Sequence, residues 1–305
     1  MQKININSNI VAFYFGAEAD PERHYANSPV ENDWVVGACH SLGVASYAVY
    51  SGNSCLIFDT LCSPEQANII KEYMENELGI TKFTVILSHW HLHHIGGNEL
   101  YKAYNIIATK KTRQWLQKLK PQIEAGTSSW GLPGIEKVRL PDIVFENTLS
   151  IFINNLEVQL YSFNIHSEDG LCAYIPQYKA LLAGDMVEDT IPFISDPQDV
   201  ENHVQNYPKL GELDIDIILP NHCRLQALKN GGYNRSLMES SCYYLSRLSK
   251  ILESDFNAQV PELKSFMSKY LNAGQISFWP PYERIHKNNI QKMREYFKCV
   301  QTESL

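Results

Sequence analysis

The sequence predicts an α+β fold in a single domain spanning residues 1–305. Short β-branched runs alternate with amphipathic helical segments through the first 230 residues, and the rest of the chain is mostly helical. An apolar content of 44% with 20% charged residues is ordinary for a globular protein, and no change of composition divides the chain. We therefore expect a core over about residues 33–230 and a helical C-terminal extension over about residues 231–305.

The first third of the chain predicts strands around one well-marked helix. A strand is expected over residues 4–15 and a hairpin over residues 44–58. Ser63 then supplies a helix N-cap, Pro64 the first helical position and Gly79 the C-terminal stop. That helix leads into a buried strand that ends in a histidine-rich loop.

The middle of the chain predicts a strand at residues 106–109, a helix that ends at Lys120 and a loop over residues 121–134. A loop of this length either covers a site or serves as a connector. The helix carries the main run of positive charge, but its lysines flank apolar residues at helical spacing. This spacing favours a solvated helix face over a nucleic-acid site.

The second half alternates hairpins with helices. Asn154 and Asn155 suit a tight turn between two strands of alternating polarity. The aromatic faces of the last helices offer a surface on which a homo-oligomer could form. The expected elements are strands at 149–153, 156–163, 171–175, 180–183 and 215–219, and helices at 199–210, 233–254, 260–271 and 285–300.

Charge and cysteine usage exclude several classes of protein. A net charge of −8 argues against sequence-independent binding to nucleic acid or to anionic membranes. No apolar run reaches membrane-spanning length. Seven scattered cysteines without a Cys-x-x-Cys pair indicate reduced thiols rather than a disulfide framework. We expect a mature cytoplasmic protein.

An apolar strand at residues 85–87 opens into four histidines within six residues. A polyhistidine tag would be terminal and uniform, whereas this run is internal and interleaved with Trp90 and Leu92. A strand end is a stiff support that can hold imidazoles in the geometry a metal requires. The four candidate ligands are His89, His91, His93 and His94.

Three further strand ends present candidate ligands. His166 follows the hairpin that ends near residue 163, Asp185 follows Gly184, and His222 follows Pro220 and Asn221. Six imidazoles and one carboxylate form the ligand set of a two-metal site. Nitrogen donors favour zinc, with manganese and iron as alternatives.

In this order, the motifs resemble those of the metallo-β-lactamase superfamily. Its His-x-His-x-Asp-His motif corresponds to residues 89–94, its next His to His166, its Gly-Asp to residues 184–185 and its Pro-x-His to residues 220–222. The resemblance covers about residues 33–230 and implies an αββα sandwich of four layers, to which the C-terminal helices are added. Periodicity alone does not predict the sandwich.

The resemblance also implies the role of each ligand. His89, His91 and His166 would bind the first metal, His94 and His222 the second, and Asp185 would bridge the two. Asp59, at another strand end, would lie outside the ligand set and orient a ligand imidazole.

The chain departs from the family pattern at His93, where most members have Asp. One interpretation is a degenerate second site that holds one metal or none. We favour the other, in which His93 is a nitrogen ligand, because His94, Asp185 and His222 are all present. Two divalent metals, one carboxylate and a hydroxide would then give a centre of about +2, which should lower the pKa of bound water.

The predicted function is hydrolysis of an ester, lactone, thioester or amide bond in a small molecule by a metal-bound hydroxide, with Asp185 and His93 as the catalytic residues. The alternatives are a mononuclear iron oxygenase acting on a persulfide and a non-catalytic metal-binding protein. Phosphodiesterases and nucleases are disfavoured by the acidic charge. The Asp of the family can help to protonate the leaving group, so Glu168 and Asp169 are candidate proton carriers here, unless they are solvated loop carboxylates.

Two tryptophans are candidate substrate-binding residues. Trp130 lies in the Gly/Pro-flanked loop, and Trp90 lies between two ligands. Either ring could pack against an acyl or aryl part of a substrate, and Trp90 could instead belong to the core.

Overall fold

The computed structural model describes residues 1–21, 39–129 and 135–303. The first of its two sheets has antiparallel strands at one side and parallel strands at the other, with the change at the fourth strand. Its seven strands, in spatial order, are β1 (Gln2–Asn5), β2 (Ile10–Phe15), β3 (Val44–Ser51), β4 (Ser54–Phe58), β5 (Lys82–Ile86), β6 (Asn105–Thr109) and β7 (Ile143–Phe145).

The second sheet has five strands and is antiparallel except for its last pair. Its strands at residues 148–153 and 156–162 are joined by a turn in which Asn154 adopts a φ of 53°, which confirms the predicted tight turn. From one edge to the other the strands are β12 (Ile217–Pro220), β11 (Ala180–Gly184), β10 (Leu171–Ile175), β9 (Leu156–Ser162) and β8 (Thr148–Ile153).

Helices cover the outer face of each sheet. The first and third pack on the seven-stranded sheet, and the fourth, sixth and ninth pack on the five-stranded sheet. Apolar side chains from the two inner faces form a third cluster between the sheets, so the predicted four layers are present. The helices are α1 (Pro64–Leu78), α2 (Leu92–Ile95), α3 (Lys110–Glu124), α4 (Val200–Leu210), α5 (Leu225–Lys229), α6 (Ser236–Ser254), α7 (Leu263–Phe266), α8 (Ser268–Asn272) and α9 (Tyr282–Glu303).

The signals that predicted α1 are confirmed in detail. The Ser63 hydroxyl accepts a hydrogen bond from the Gln66 N–H, and Pro64 occupies the first helical position. Gly79 ends the helix in the left-handed conformation, with a φ of 66°. Local sequence therefore sets both ends of this helix.

The bounds of three predicted elements differ most from the structure. The strand over residues 4–15 is a hairpin, because the Asn7 side chain accepts the Asn9 N–H at 2.9 Å and turns the chain. Helix α3 continues past Lys120 to Glu124, since the fully buried Ile123 holds its last turn on the core. The helix at 260–271 is split into α7 and α8 at the buried Met267, whose φ of −103° and ψ of 13° lie outside the helical region.

Two further properties concern the described residues as a whole. None of their helices combines the length and the apolar character needed to cross a membrane. The seven cysteines, all of which lie among these residues, form no disulfide bond with one another.

Candidate metal centre

All seven predicted ligands meet in one buried cluster at an edge of the sandwich. Strands β11 and β12 are parallel, as are β4 and β5, so the carboxyl ends of each pair lie side by side. Each ligand follows one of these strands or lies between β9 and β10, and none is more than 5% exposed. The cluster contains His89, His91, His93, His94, His166, Asp185 and His222.

The first group of ligands contains His89, His91, His166 and Asp185. His91 Nδ1 lies 2.8 Å from His89 Nε2 and 3.3 Å from His166 Nε2. Both of those Nε2 atoms lie 3.7 Å from Asp185 Oδ2. The four potential donor atoms of this group lie within 4.8 Å of one another.

The second group contains His93, His94, His222 and, again, Asp185. Asp185 Oδ2 lies 3.2 Å from His93 Nε2, 3.1 Å from His94 Nε2 and 3.6 Å from His222 Nε2. The two imidazole nitrogens of His93 and His222 are 3.1 Å apart. His93 thus contributes a potential donor atom to this group, and Asp185 belongs to both groups.

The outer ring nitrogens show which inner nitrogens carry a lone pair when the rings are neutral, as a metal-binding imidazole must be. His222 Nδ1 lies 2.9 Å from the Gly43 carbonyl oxygen, which can only accept, so Nδ1 carries the hydrogen. His94 Nδ1 likewise donates to Asp59 Oδ2 at 2.8 Å. In a neutral ring the Nε2 atom then carries a lone pair directed at Asp185 Oδ2, and a cation between these acceptors is the natural partner.

The spacing of the donor atoms fits metal ions. In a tetrahedral site with metal–nitrogen bonds of 2.0–2.1 Å, neighbouring ligand atoms lie about 3.3 Å apart. The separations given above, from 2.8 to 3.7 Å, lie on both sides of that value. In addition, Asp185 Oδ1 is buried without a hydrogen-bond partner among the described residues, which suits an atom that a metal would satisfy.

Burial keeps most of these imidazoles in the neutral form that binds metals. Desolvation, followed by the neighbouring imidazoles, lowers the pKa of His89, His91 and His93 well below the usual value. Desolvation also lowers the pKa of His166 to about 4 and that of His222 below its usual range. A neutral imidazole needs to lose no proton on binding a metal.

His94 and Asp185 form a charged pair at the centre of the cluster. Burial by itself lowers the pKa of His94, but the Asp185 and Asp59 carboxylates outweigh it and raise the value to about 10. Burial raises the pKa of Asp185, but His94 and His222 outweigh it and hold the value well below its usual range. The protein thus stabilises positive charge next to Asp185, where a metal ion would lie.

Asp59 lies beside the cluster and contacts His94, a candidate ligand. Besides His94, it accepts hydrogen bonds from the Ser88 N–H at 2.7 Å, the Ser88 hydroxyl at 2.6 Å and the Asn221 amide at 2.6 Å. The Ser88 hydroxyl is also 2.9 Å from His89 Nδ1. The sequence analysis did not single out Asn221, although its place inside the Pro220-Asn221-His222 motif was a signal.

Three unusual backbone conformations lie at or beside the candidate ligands. Asp59 and His166 have φ values of 63° and 67°, a region that non-glycine residues seldom adopt. Gly184, with a φ of 58°, could not carry a side chain, because a Cβ atom there would lie 2.8 Å from the Cβ of Ser88. This close approach brings Asp185 beside the histidine-bearing loop.

A cavity of about 70 Å³ adjoins the cluster. Its polar wall contains five ligands and Glu188, and its apolar wall is formed by Cys39, Leu42, Phe193 and Ile285.

Sequence reasoning missed Glu188. Its Oε1 atom accepts the Phe193 N–H at 2.9 Å and lies 3.7 Å from His166 Nδ1, and its Oε2 atom accepts the Tyr282 hydroxyl at 3.3 Å. Burial, followed by the charge of Asp185, raises the pKa of Glu188 well above its usual range.

Of the two candidate substrate-binding tryptophans, the structure describes Trp90 and places it away from the cavity. Trp90 is 5% exposed and belongs to the core outside the seven-stranded sheet, where it stacks on Trp115 at 5.7 Å. It does not line the cavity, because its ring points into that core. Trp130 lies outside the described residues.

The two candidate proton carriers have structural contacts instead. Glu168 pairs with Lys111 at 2.9 Å and accepts the Trp115 indole N–H at 2.8 Å. Asp169 is not a solvated loop carboxylate, because it is fully buried and accepts the Trp90 N–H at 3.0 Å. Neither residue lines the cavity.

Comparison with known proteins supports this description. The structure superposes on the metallo-beta-lactamase from Pontibacter korlensis with a TM-score of 0.56 and 15% identity, covering 78% of this chain and 95% of that one. The metallo-beta-lactamase from Hirschia baltica superposes with a TM-score of 0.53 and 15% identity, covering 79% of this chain and 96% of that one. At such identities these likenesses establish the fold alone.

No curated protein sequence matches the chain. The family model of the metallo-beta-lactamase superfamily matches residues 41–222, which is more than half of the sequence. The chain therefore belongs to the metallo-beta-lactamase superfamily.

Proposed function

We propose that this protein is a di-zinc hydrolase that cleaves an ester, lactone, thioester or amide bond in a small molecule. The observation that carries the proposal is the pair of four-donor groups that share Asp185. Imidazole nitrogens with a single carboxylate are ligands that suit zinc, whereas manganese favours more oxygen donors. When bound, the two metals would supply a hydroxide at neutral pH and polarise the scissile carbonyl oxygen.

The residues around the ligands would keep the site in one geometry. Asp59 fixes the ring of His94, and the Gly43 carbonyl oxygen fixes that of His222. The Ser88 hydroxyl contacts both Asp59 and His89, so it connects the two ligand groups. Because these contacts are buried, the donor atoms need little reorganisation when a substrate binds.

Two further points support hydrolysis of a small molecule. The similar solved structures are named as beta-lactamases, enzymes named for a cyclic amide substrate. The net charge of −8 disfavours a nuclease, because a phosphate backbone is bound mainly by positive charge.

The alternatives make different demands on the site. An iron oxygenase acting on a persulfide would need one metal, held by His89, His91 and His166. The second group would then have no ligand role, although its donors are equally buried and share the same carboxylate. A non-catalytic protein would bind metal and turn over no substrate.

One experiment separates the three functions. Metal content is measured by mass spectrometry after dialysis against zinc, and the protein is then assayed on chromogenic esters, lactones, thioesters, β-lactams and phosphoesters, and on a persulfide with an oxygen electrode. The proposal predicts two zinc ions per chain and turnover of at least one carbonyl substrate. One metal with oxygen uptake, or two metals without any turnover, would overturn it.

A further inference from the structure

The apolar wall of the cavity comes from three distant parts of the chain. Leu42 precedes β3, Phe193 lies in the loop after β11, and Ile285 belongs to α9. The same cavity is lined by His91, His93, His166, Asp185 and His222. A group bound against the apolar wall would therefore lie directly beside the metal ligands.

Buried hydrogen bonds fix the C-terminal part of this wall. Asn289, which is fully buried, accepts the Ile194 N–H at 2.9 Å and donates to the Pro192 carbonyl oxygen at 2.8 Å. Asp189 accepts the Ser277 N–H at 2.8 Å. Helix α9 and the loop that carries Asp185 are thus held together, and the wall is formed before any ligand arrives.

We propose that this cavity binds the short aliphatic acyl chain of the substrate and that Ile285 and Phe193 limit its length. The inference rests on the proposed hydrolysis and narrows its substrate class. A volume of about 70 Å³ holds roughly two water-sized groups. Methyl and methylene groups are of that size, so acyl groups of about two to four carbons fit and longer ones meet the wall.

The acyl side is the part of the substrate that suits a buried subsite. The alkyl part of the acyl group is bonded directly to the carbonyl carbon that is attacked. It would therefore stay at the metal centre after the leaving group has departed. A cavity walled by leucine, phenylalanine and isoleucine side chains stabilises an alkyl group by removing its surface from water. The opposite wall of ligands places the carbonyl group at the metals.

The test compares two substitutions of one helix. Ile285→Ala enlarges the cavity, and Ile290→Ala removes the same side chain from a buried position of α9 that does not line it. Hydrolysis of p-nitrophenyl acetate, butyrate, hexanoate and octanoate is measured for each protein. Wild type should prefer butyrate to hexanoate by about tenfold or more in kcat/KM. Ile285→Ala should lower this preference about tenfold, and Ile290→Ala should leave it unchanged.

A binding measurement keeps the inference separate from the proposed hydrolysis. Zinc-loaded protein is titrated calorimetrically with acetate, butyrate and hexanoate, which need no turnover. A shift of binding affinity towards hexanoate in Ile285→Ala, and not in Ile290→Ala, supports the acyl pocket even if no ester is hydrolysed. The absence of ester hydrolysis would count against the hydrolase only. If esters are cleaved but wild type, Ile285→Ala and Ile290→Ala share one chain-length preference, the pocket is overturned and the hydrolase stands. Should Ile285→Ala fail to fold, Ile285→Val must show the same shift to a smaller degree.

Discussion

The two ligand groups share Asp185 but are held by their surroundings in different ways. In the second group, His94 and His222 each donate their outer N–H to a fixed acceptor, Asp59 and the Gly43 carbonyl oxygen. In the first group, His89 contacts the Ser88 hydroxyl, which can donate or accept. His166 Nδ1 lies 3.7 Å from Glu188, beyond hydrogen-bond distance.

Agreement with the family motif and the strength of the contacts to the outer ring nitrogens do not go together in the two groups. The first group follows the family motif at every position, yet its outer contacts are weaker. The second group departs from the motif at His93, yet two of its rings have a defined tautomer and orientation. The orientation of the His94 and His222 rings therefore does not depend on whether position 93 is Asp or His. The loss of Asp at position 93 does not by itself indicate a degraded site.

The largest effect is expected from Asp185→Asn, which removes the charge shared by both groups. Metal content should fall well below two per chain, and the affinity for zinc should drop more than ~100-fold, since loss of an orienting partner alone costs about 10–100-fold. Mass spectrometry and zinc titration measure both quantities. Asp189→Asn, at a buried carboxylate outside both groups, is the control that should keep two metals. Two metals at wild-type affinity in Asp185→Asn would show that the groups do not share this ligand.

A smaller and more selective effect is expected from Asp59→Asn. Asp59 accepts four hydrogen bonds, including that of His94, and an amide cannot accept all of them. The affinity of the second metal should fall about 10–100-fold while the first metal is retained. Stepwise zinc titration reports the two sites separately. Equal weakening of both metals would mean that the fixing of the rings is not confined to one group.

The smallest effect is expected from His93→Asp, which restores the ligand common in the family. Two metals should remain, but the added negative charge should raise the pKa of metal-bound water. The rising limb of the pH profile of kcat/KM should therefore move to higher pH, provided that this ionisation controls the rate. A profile that stays in place or moves to lower pH would contradict the charge argument.

Local sequence predicted the ligands because each lies directly after a strand or in a short loop between strands. Parallel pairing brings these strand ends together in the structure, whereas the grouping of His94, Asp185 and His222 came from the family resemblance. Helix α1 was equally predictable, since the signals at Ser63 and Gly79 act within a few residues.

Contacts between distant parts of the chain could not be predicted in this way. Glu188 and Tyr282 are 94 residues apart in sequence, and their contact depends on how α9 packs against the loop after β11. The cavity wall formed by Ile285 has the same origin, because its apolar residue is indistinguishable from the core residues of that helix. The hairpin at the N-terminus was missed for a local reason, the turn made by the Asn7 side chain.

The most direct test of the second group is the zinc stoichiometry of His93→Ala. In this variant the second metal keeps His94, His222 and the shared Asp185, while the first keeps all its ligands. His286→Ala removes a buried imidazole that belongs to neither group and serves as the control. Zinc titration with mass spectrometry should give two tightly bound metals for wild type and His286→Ala, and one for His93→Ala. Two metals at wild-type affinity in His93→Ala would show that His93 is not a ligand.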